Sequence, residues 1–389
     1  MYKQLHMPLH RVFGLMSTAS LPRTVTICLT ESCNLNCVYC YEKNKSSATI
    51  TFETVQQIIE EEFPKSKCCE KVVFELFGGE PFLQFDLIKE IVEFIKSKNW
   101  DVPYVVSITT NGTLVHGEIQ DWLIQNRDIL NVGLSLDGTK SMHDANRSNS
   151  FDLIDIPFFA NFSKNPRVKM TISEETLNSL AEGVIYLHQC GFIIDCNLAY
   201  GIQWHEERLL KVFHDQLLLL IDFYIKNPKI RPCSMLSSHI EVVNVPPTNT
   251  STKWCGTGKY MVAYDINKNP YPCQFFMPVS MDTPDELDVE IPDNIPLDFL
   301  PKMCRTCPCV NICPTCYGSN YNETGNPYQK SVDYCSMMKI IFLANSYFKW
   351  LQLSSDSFEF TKEERIVYLR SIEIIQNYLR NDPILQMTE

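Results

Sequence analysis

Six apolar, β-like runs recur between Thr24 and Tyr200, at residues 24–30, 71–77, 104–110, 131–136, 167–172 and 192–198. Helical patterns separate most of them, among them residues 52–62, 85–98 and 173–190. Strands that alternate with helices pair in parallel, because each return path is a crossover. The last of these helices opens on Ser173-Glu174-Glu175-Thr176 and is followed by Gly191, a C-cap by residue type. Six such units predict an α/β fold, an open (β/α)6 partial barrel of the TIM type. Ligands of such barrels sit at the C-terminal ends of the strands. The residues just after each run are therefore where chemistry is expected.

Those residues carry functional groups at almost every tip. After the first run comes Cys33-Asn34-Leu35-Asn36-Cys37-Val38-Tyr39-Cys40, a C-x3-C-x2-C spacing. Tetrahedral zinc takes four N/S ligands, and no His or fourth Cys follows promptly. Three thiolates on one short loop suit a [4Fe–4S] cube with one iron left open for a small molecule. Tyr39 would cover the cluster and narrow the space beside it. After the second run comes Phe77-Gly78-Gly79-Glu80-Pro81, where glycines allow close backbone approach and expose amides to a ligand. Thr110 and Asn111 follow the third run, Ser135 and Asp137 the fourth, and Ser173 the fifth. Asx-type turns that only end strands remain an alternative reading of these polar tips. His143-Asp144-Ala145-Asn146-Arg147 offers Arg147 as a bidentate partner for a carboxylate or as half of a surface salt bridge.

A second thiol pattern fills the C-terminal half. Cys255 and Cys273 flank a predicted hairpin with residues 267–269 at its turn, and Cys304, Cys307, Cys313, Cys316 and Cys335 follow. The Cys304–Cys307 knuckle alone reads as half a zinc ribbon, but zinc ribbons come in fours and this set has seven patterned members. The chain holds 17 cysteines and no export signal, which argues against a disulfide framework and for metal ligation in a reducing, cytoplasmic compartment. The remaining seven (Cys28, Cys68, Cys69, Cys190, Cys196, Cys233, Cys309) read as ordinary core or incidental thiols. A net charge of −12 without a basic run disfavours nucleic acid and anionic membranes, and no stretch is long and apolar enough to span a bilayer. The divisions expected are an extension at 1–22, the barrel at 23–227, a proline-broken linker at 228–252, the cysteine-rich domain at 253–338 and C-terminal helices at 339–389. Residues 204–225 read as a long amphipathic helix, and residues 282–293 as an acidic solvated loop.

The first cysteine loop and the Gly-Gly-Glu-Pro turn together resemble the radical S-adenosylmethionine (SAM) superfamily signature. The seven-cysteine pattern resembles the SPASM domain of its peptide- and protein-modifying members, with an x2 where that family usually has x3 before Cys316. The resemblance implies an iron that chelates SAM and, on reduction, yields a 5′-deoxyadenosyl radical. It implies contacts to SAM from Tyr39, Gly78, Gly79, Glu80, Pro81, Thr110, Asn111, Ser135, Asp137, Arg147 and Ser173. It implies three [4Fe–4S] clusters, one on Cys33, Cys37 and Cys40, an outer one on Cys304, Cys307, Cys313 and Cys335, and an inner one on Cys255, Cys273 and Cys316. The expected activity is modification of a peptide or protein, preferably a crosslink in a ribosomally made precursor. A flavodoxin or ferredoxin would supply electrons, and a separate protein would bind the leader, since residues 1–22 are too few for a leader-binding domain. Anaerobic sulfatase maturases are the enzyme alternative. They share the H-D-x-x-R run, but have an Asp base where this chain has Gln274, and a further cysteine where it has Met261. A non-catalytic iron–sulfur or zinc scaffold is the alternative of another class. Cys233 and Cys309 are the nearest unpatterned thiols able to complete the inner set.

Overall fold

The computed structural model describes residues 22–245, 250–251, 255–281, 289–292 and 295–383. The readings at 1–21, most of the acidic loop at 282–293 and the last residues from 384 lie outside the described residues.

Six strands alternate with helices as the periodicity predicts. They are β1 (Arg23–Thr30), β2 (Val72–Gly78), β3 (Tyr104–Thr110), β4 (Leu130–Ser135), β5 (Arg167–Ile172) and β6 (Ile193–Leu198). The crossovers are α1 (Phe52–Lys65), α2 (Phe85–Ser97), α3 (Glu118–Gln125), α4 (Lys140–Asn146), α5 (Ile156–Phe162) and α6 (Leu180–Gln189). All neighbouring pairs from β1 to β6 are parallel. On β2, Val72, Phe74 and Leu76 are buried and cluster with Ile58, Ile88 and Ile91 of the helices. The opposite face carries polar pairs, Thr26 Oγ1 donating to Glu75 Oε2 (2.9 Å) and Lys169 Nζ to Thr109 Oγ1 (3.2 Å), and at β1 and β2 it packs Cys28 and Phe77 against Met277 and Val279. The parallel strands with helices packed on one face form a partial barrel, whose strand C-termini are where ligands bind in such folds.

Two helix readings shift at their starts. The stretch expected to be helical from Ser173 begins instead with a turn in which Ser173 N donates to Thr176 Oγ1 (3.0 Å), and α6 proper starts at Leu180. A side chain that caps the backbone locally competes with helix continuation. The long amphipathic helix is α7 (Glu207–Lys226); Trp204 lies before it, with its indole N–H on Ala199 O (2.7 Å).

The C-terminal half adds two strands to the barrel sheet. After the short β7 (Thr250–Ser251), the predicted hairpin forms as β8 (Met261–Tyr264) and β9 (Pro270–Tyr271), and β8 pairs in parallel with β1. One eight-stranded sheet results, in the order β6-β5-β4-β3-β2-β1-β8-β9. The junction is tied by side chains as well. Glu62 takes Arg23 (2.6 Å) and accepts the Tyr264 hydroxyl (2.8 Å). Residues 233–236 pack into the barrel core, with Cys233 and Leu236 buried. The chain continues as β10 (Ile295–Pro296), paired with β7, then α8 (Lys302–Arg305), α9 (Tyr317–Thr324), α10 (Val332–Ser354) and α11 (Lys362–Leu379). No described helix is long and apolar enough to cross a membrane.

Candidate active site

The Cys33–Cys40 loop is laced to three successive strand tips. At the β2 tip, the Gly79 and Glu80 amides donate to Thr30 O (3.0 Å) and Ser32 O (2.9 Å). These amides are therefore spent inside the protein, which corrects the expectation that they are exposed to a ligand. The glycines are required by the same contact: a Cβ on Gly78 would lie 2.3 Å from Thr30 O, and one on Gly79 2.2 Å from Ser32 O. At the β3 tip, Asn34 of the loop donates to Thr113 Oγ1 and accepts from Asn111 Nδ2, both at 2.8 Å. At the β4 tip, the Tyr39 hydroxyl donates to Asp137, while Val38 N reaches Asn146 O and Asn36 N reaches Ser148 Oγ, each at 3.0 Å.

Two buried carboxylates hold the tips to one another. Glu80 caps the turn that starts with Pro81, accepting Phe82 N (3.1 Å), and also takes Thr110 Oγ1 (2.7 Å) and Asn111 N (2.8 Å). Burial pushes its carboxyl up, against the pull of those donors. Asp137, fully buried, accepts Arg147 Nε (2.9 Å), Asn146 Nδ2 (3.1 Å) and Thr171 N (2.9 Å) besides Tyr39. Arg147 also lies over the Tyr39 ring, 5.3 Å from its centroid. Arg147 thus pairs a carboxylate through a single bond, and the pair is buried rather than a surface bridge. His143 sits beneath this knot with Nε2 against Ser150 Oγ (3.1 Å); burial, with Arg147 nearby, pushes it down to about 4, so it is neutral near pH 7. Ser135 ends β4 half-buried, and Ser173 is buried in its turn.

The donors left over fit the implied cofactors. Cys33, Cys37 and Cys40 share one loop, with Leu35 N directed at Cys33 Sγ (3.5 Å) and Lys45 hydrogen-bonded to Cys40. Burial pushes the Cys33 and Cys37 thiols up. Beside the loop, the fully buried Asn146 has an Oδ1 with no partner in the protein. That oxygen asks for an N–H or O–H donor, which the ammonium and ribose of SAM possess. Sequence reasoning passed over both Asn146 and Asn34. The signal for each was its place, one inside the H-D-x-x-R run and the other inside the cysteine loop.

Cys304, Cys307, Cys313 and Cys335 line one small cavity together with Lys330, whose Nζ lies 3.1 Å from Cys313 Sγ. Cys309 is buried against Cys307, and this thiol with the Tyr378 hydroxyl holds Cys307 below the usual thiol range. Cys273 is pushed up to about 12, by burial first and then by the influence of Cys316 and Cys255. Cys233 lies in the barrel core with its N–H on the Tyr224 hydroxyl (2.9 Å), and Met261 opens β8. Among the described residues, no three His, Cys, Asp or Glu side chains converge around a single metal ion. In a cube each thiolate ends on its own iron, which needs no such convergence. The two thiol regions meet through aromatic rings. Tyr41 stacks on Phe275 (4.2 Å between centroids), and Phe275 meets Tyr200 edge-on (5.2 Å) beyond the end of β6. Gly318 admits Phe275, since a Cβ there would stand 2.3 Å from the Phe275 Cβ. Gln274, next to Cys273, has a buried Oε1 without a partner in the protein.

The partial barrel carries its three thiols on one loop across its first strand tips. The family model "Radical SAM superfamily" matches residues 27–154, so the chain carries a radical SAM domain that includes the Cys33–Cys40 loop. Over 137 residues the chain is 31% identical to a "Cysteine-type anaerobic sulfatase-maturating enzyme" of Clostridium novyi, covering 32% of this chain and 36% of that protein. The chain spans little more than a third of the length of the first curated relatives it matches. In fold it is similar to "Native anSMEcpe with bound AdoMet" (TM-score 0.66, 17% identity, 91% of this chain and 99% of that one). It is also similar to Streptococcus suis SuiB bound to precursor peptide SuiA (TM-score 0.56, 16% identity, 86% and 82%).

Proposed function

We propose that the chain is a radical SAM peptide maturase that installs a crosslink in a ribosomally made precursor. The observation that carries this reading is the packing of a second thiol set, through Phe275 and Tyr200, against the loop that holds Cys33, Cys37 and Cys40. The fold neighbours include proteins bound to peptides, which supports a peptide as substrate. When bound, SAM and a reduced cluster supply a 5′-deoxyadenosyl radical that removes hydrogen from an unactivated carbon. The chain's residues position the parts. Glu80 and Asp137 fix the strand tips around the loop, and Asn146 Oδ1 accepts a donor from the cofactor. Cys304, Cys307, Cys313 and Cys335 would hold an outer auxiliary cluster. Cys255, Cys273 and Cys316 would hold an inner one, with one iron free to bind a substrate sulfur or backbone group. A flavodoxin or ferredoxin is the electron donor in this reading.

The formylglycine alternative requires a base beside Cys273. Gln274 stands there, and an amide does not take a proton from the target residue. Its orphan Oε1 suits orienting an N–H donor of the substrate instead. The test is the Cys33→Ala, Cys37→Ala, Cys40→Ala triple variant under anaerobic reduction. It should form no 5′-deoxyadenosine yet keep iron and acid-labile sulfide at the C-terminal thiols. Persistent 5′-deoxyadenosine would overturn the reading, and zinc in place of iron would point to a scaffold.

A further inference from the structure

A cavity of about 560 Å³ lies between the end of β6, residues 234–239, α9 and the start of α10. It is distinct from the Cys33–Cys40 loop, none of whose thiols lines it, whereas Cys316 of the inner three forms part of its wall. Tyr200, which hydrogen-bonds Cys316, lines the same cavity. The lining is largely apolar, with Trp204, Met337 and Ile341 contributing broad hydrophobic surface. Two carboxylates reach it from different helices, Glu323 of α9 and Asp333 of the first turn of α10. Among the described residues, no lysine or arginine lines it.

Both carboxylates are held in place. Ser319 Oγ donates to Glu323 Oε1 (3.1 Å), and His205 approaches Asp333 Oδ1 with both its backbone N and Nδ1 (2.8 Å each). The imidazole that lines the cavity, His239, is engaged by Glu241 (3.0 Å). An anionic ligand would meet two like charges here, and a purely apolar one would strip water from them without return. A long methylene stem that ends in a cation matches both features, because the stem covers apolar surface while the head stays with the carboxylates.

We propose that this cavity receives a lysine or arginine side chain of the peptide substrate, with its stem along Met337 and Ile341 and its cationic head at Glu323 and Asp333. The inference rests on the reading of the substrate as a peptide. The volume exceeds one side chain and leaves room for flanking backbone. A peptide anchored there places its neighbouring residues beside Cys316, so the cavity selects which residue meets the inner thiols.

The test uses the full, anaerobically reconstituted chain labelled with 5-fluorotryptophan, in which the Trp204 resonance is assigned with Trp204→Phe. The probes are n-hexylammonium, 1-hexanol and hexanoate, added separately. Hexylammonium should shift the Trp204 line saturably, at about ten-fold lower concentration than the other two. Glu323→Gln with Asp333→Asn should bring hexylammonium to the level of hexanol, and Glu323→Gln alone should move it part of the way. Equal response to the three probes, a preference for hexylammonium that survives the double variant, or no response to any probe would each overturn the assignment. 5′-Deoxyadenosine formation in the same samples reports on the radical reading separately. If it forms while the probes fail, the cavity assignment alone is wrong.

Discussion

The Asp137–Arg147 pair offers the sharpest test of how the site is held. Asp137 is fully buried and the Arg147 side chain is 9% exposed, so water screens neither. Arg147→Met removes a charge-assisted hydrogen bond of 2.9 Å and leaves the carboxylate with only Tyr39, Asn146 and Thr171 as donors. Deleting one partner of a buried pair costs about 3–5 kcal/mol, because the other charge stays buried and uncompensated. Asp137→Leu should cost a similar amount, since it strands the guanidinium and unties Tyr39 from the β4 tip. The double variant should be far less destabilised than the sum, with a coupling of at least about 2 kcal/mol. Urea unfolding followed by circular dichroism measures the cycle, with tryptophan fluorescence as a second probe for coincidence of the transitions. Additivity within about 0.5 kcal/mol would mean that the two groups do not depend on each other, and the account of the knot would fail.

Three further outcomes follow from the geometry. Gly79→Ala, whose Cβ would stand 2.2 Å from Ser32 O, should displace the cysteine loop and lower iron bound at Cys33, Cys37 and Cys40, while Gly133→Ala, whose Cβ would make only an ordinary contact with Thr109 Oγ1 (3.5 Å), should leave iron content unchanged; iron per chain in a background lacking the seven C-terminal ligands reads both. Lys330→Met removes the ammonium 3.1 Å from Cys313 Sγ, so the outer cluster should become harder to reduce, seen as a more negative midpoint in potentiometry followed by electron paramagnetic resonance. Glu62 is pushed up by burial, but Lys65, Arg23 and Tyr264 outweigh that and hold it below the ordinary carboxylate range. Its contribution is present above the unfolded-state value and fades as pH falls through the lower folded one, so Glu62→Gln should cost about 1.5–3 kcal/mol near pH 7 and progressively less at acid pH, measured by urea midpoints across pH.

The strands were legible because each side chain's period reports its face, and the cysteine spacings because thiols at those intervals have few other uses. What sequence could not convey was where polar groups turn once the tips come together. Gly78 and Gly79 were read as opening a backbone to a ligand, yet their first duty is steric, letting β2 lie against Thr30 and Ser32. Arg147 was read with an unnamed carboxylate, and Asp137 with SAM; the fold satisfies each with the other. Asn34 and Asn146 carried no periodic or charge signal, and only a tertiary arrangement reveals that one bridges to β3 and the other keeps an oxygen unpaired. The pairing of β8 with β1 was hidden for a different reason. A parallel edge contact between segments so distant in sequence leaves no local pattern at either end.

That pairing has a consequence for biosynthesis. During translation β1 can gain β2 early, but its other edge waits for Met261. The interval is roughly 230 residues of further synthesis, or about 10–50 s at ordinary elongation rates. Through that time the strand leading to the first thiol loop presents bare amides and carbonyls to any passing chain. Cluster insertion before β8 docks would act on a loop whose supporting strand is half-paired. The order in which the cell delivers iron and the ribosome delivers the hairpin is thus part of what decides the yield of assembled protein.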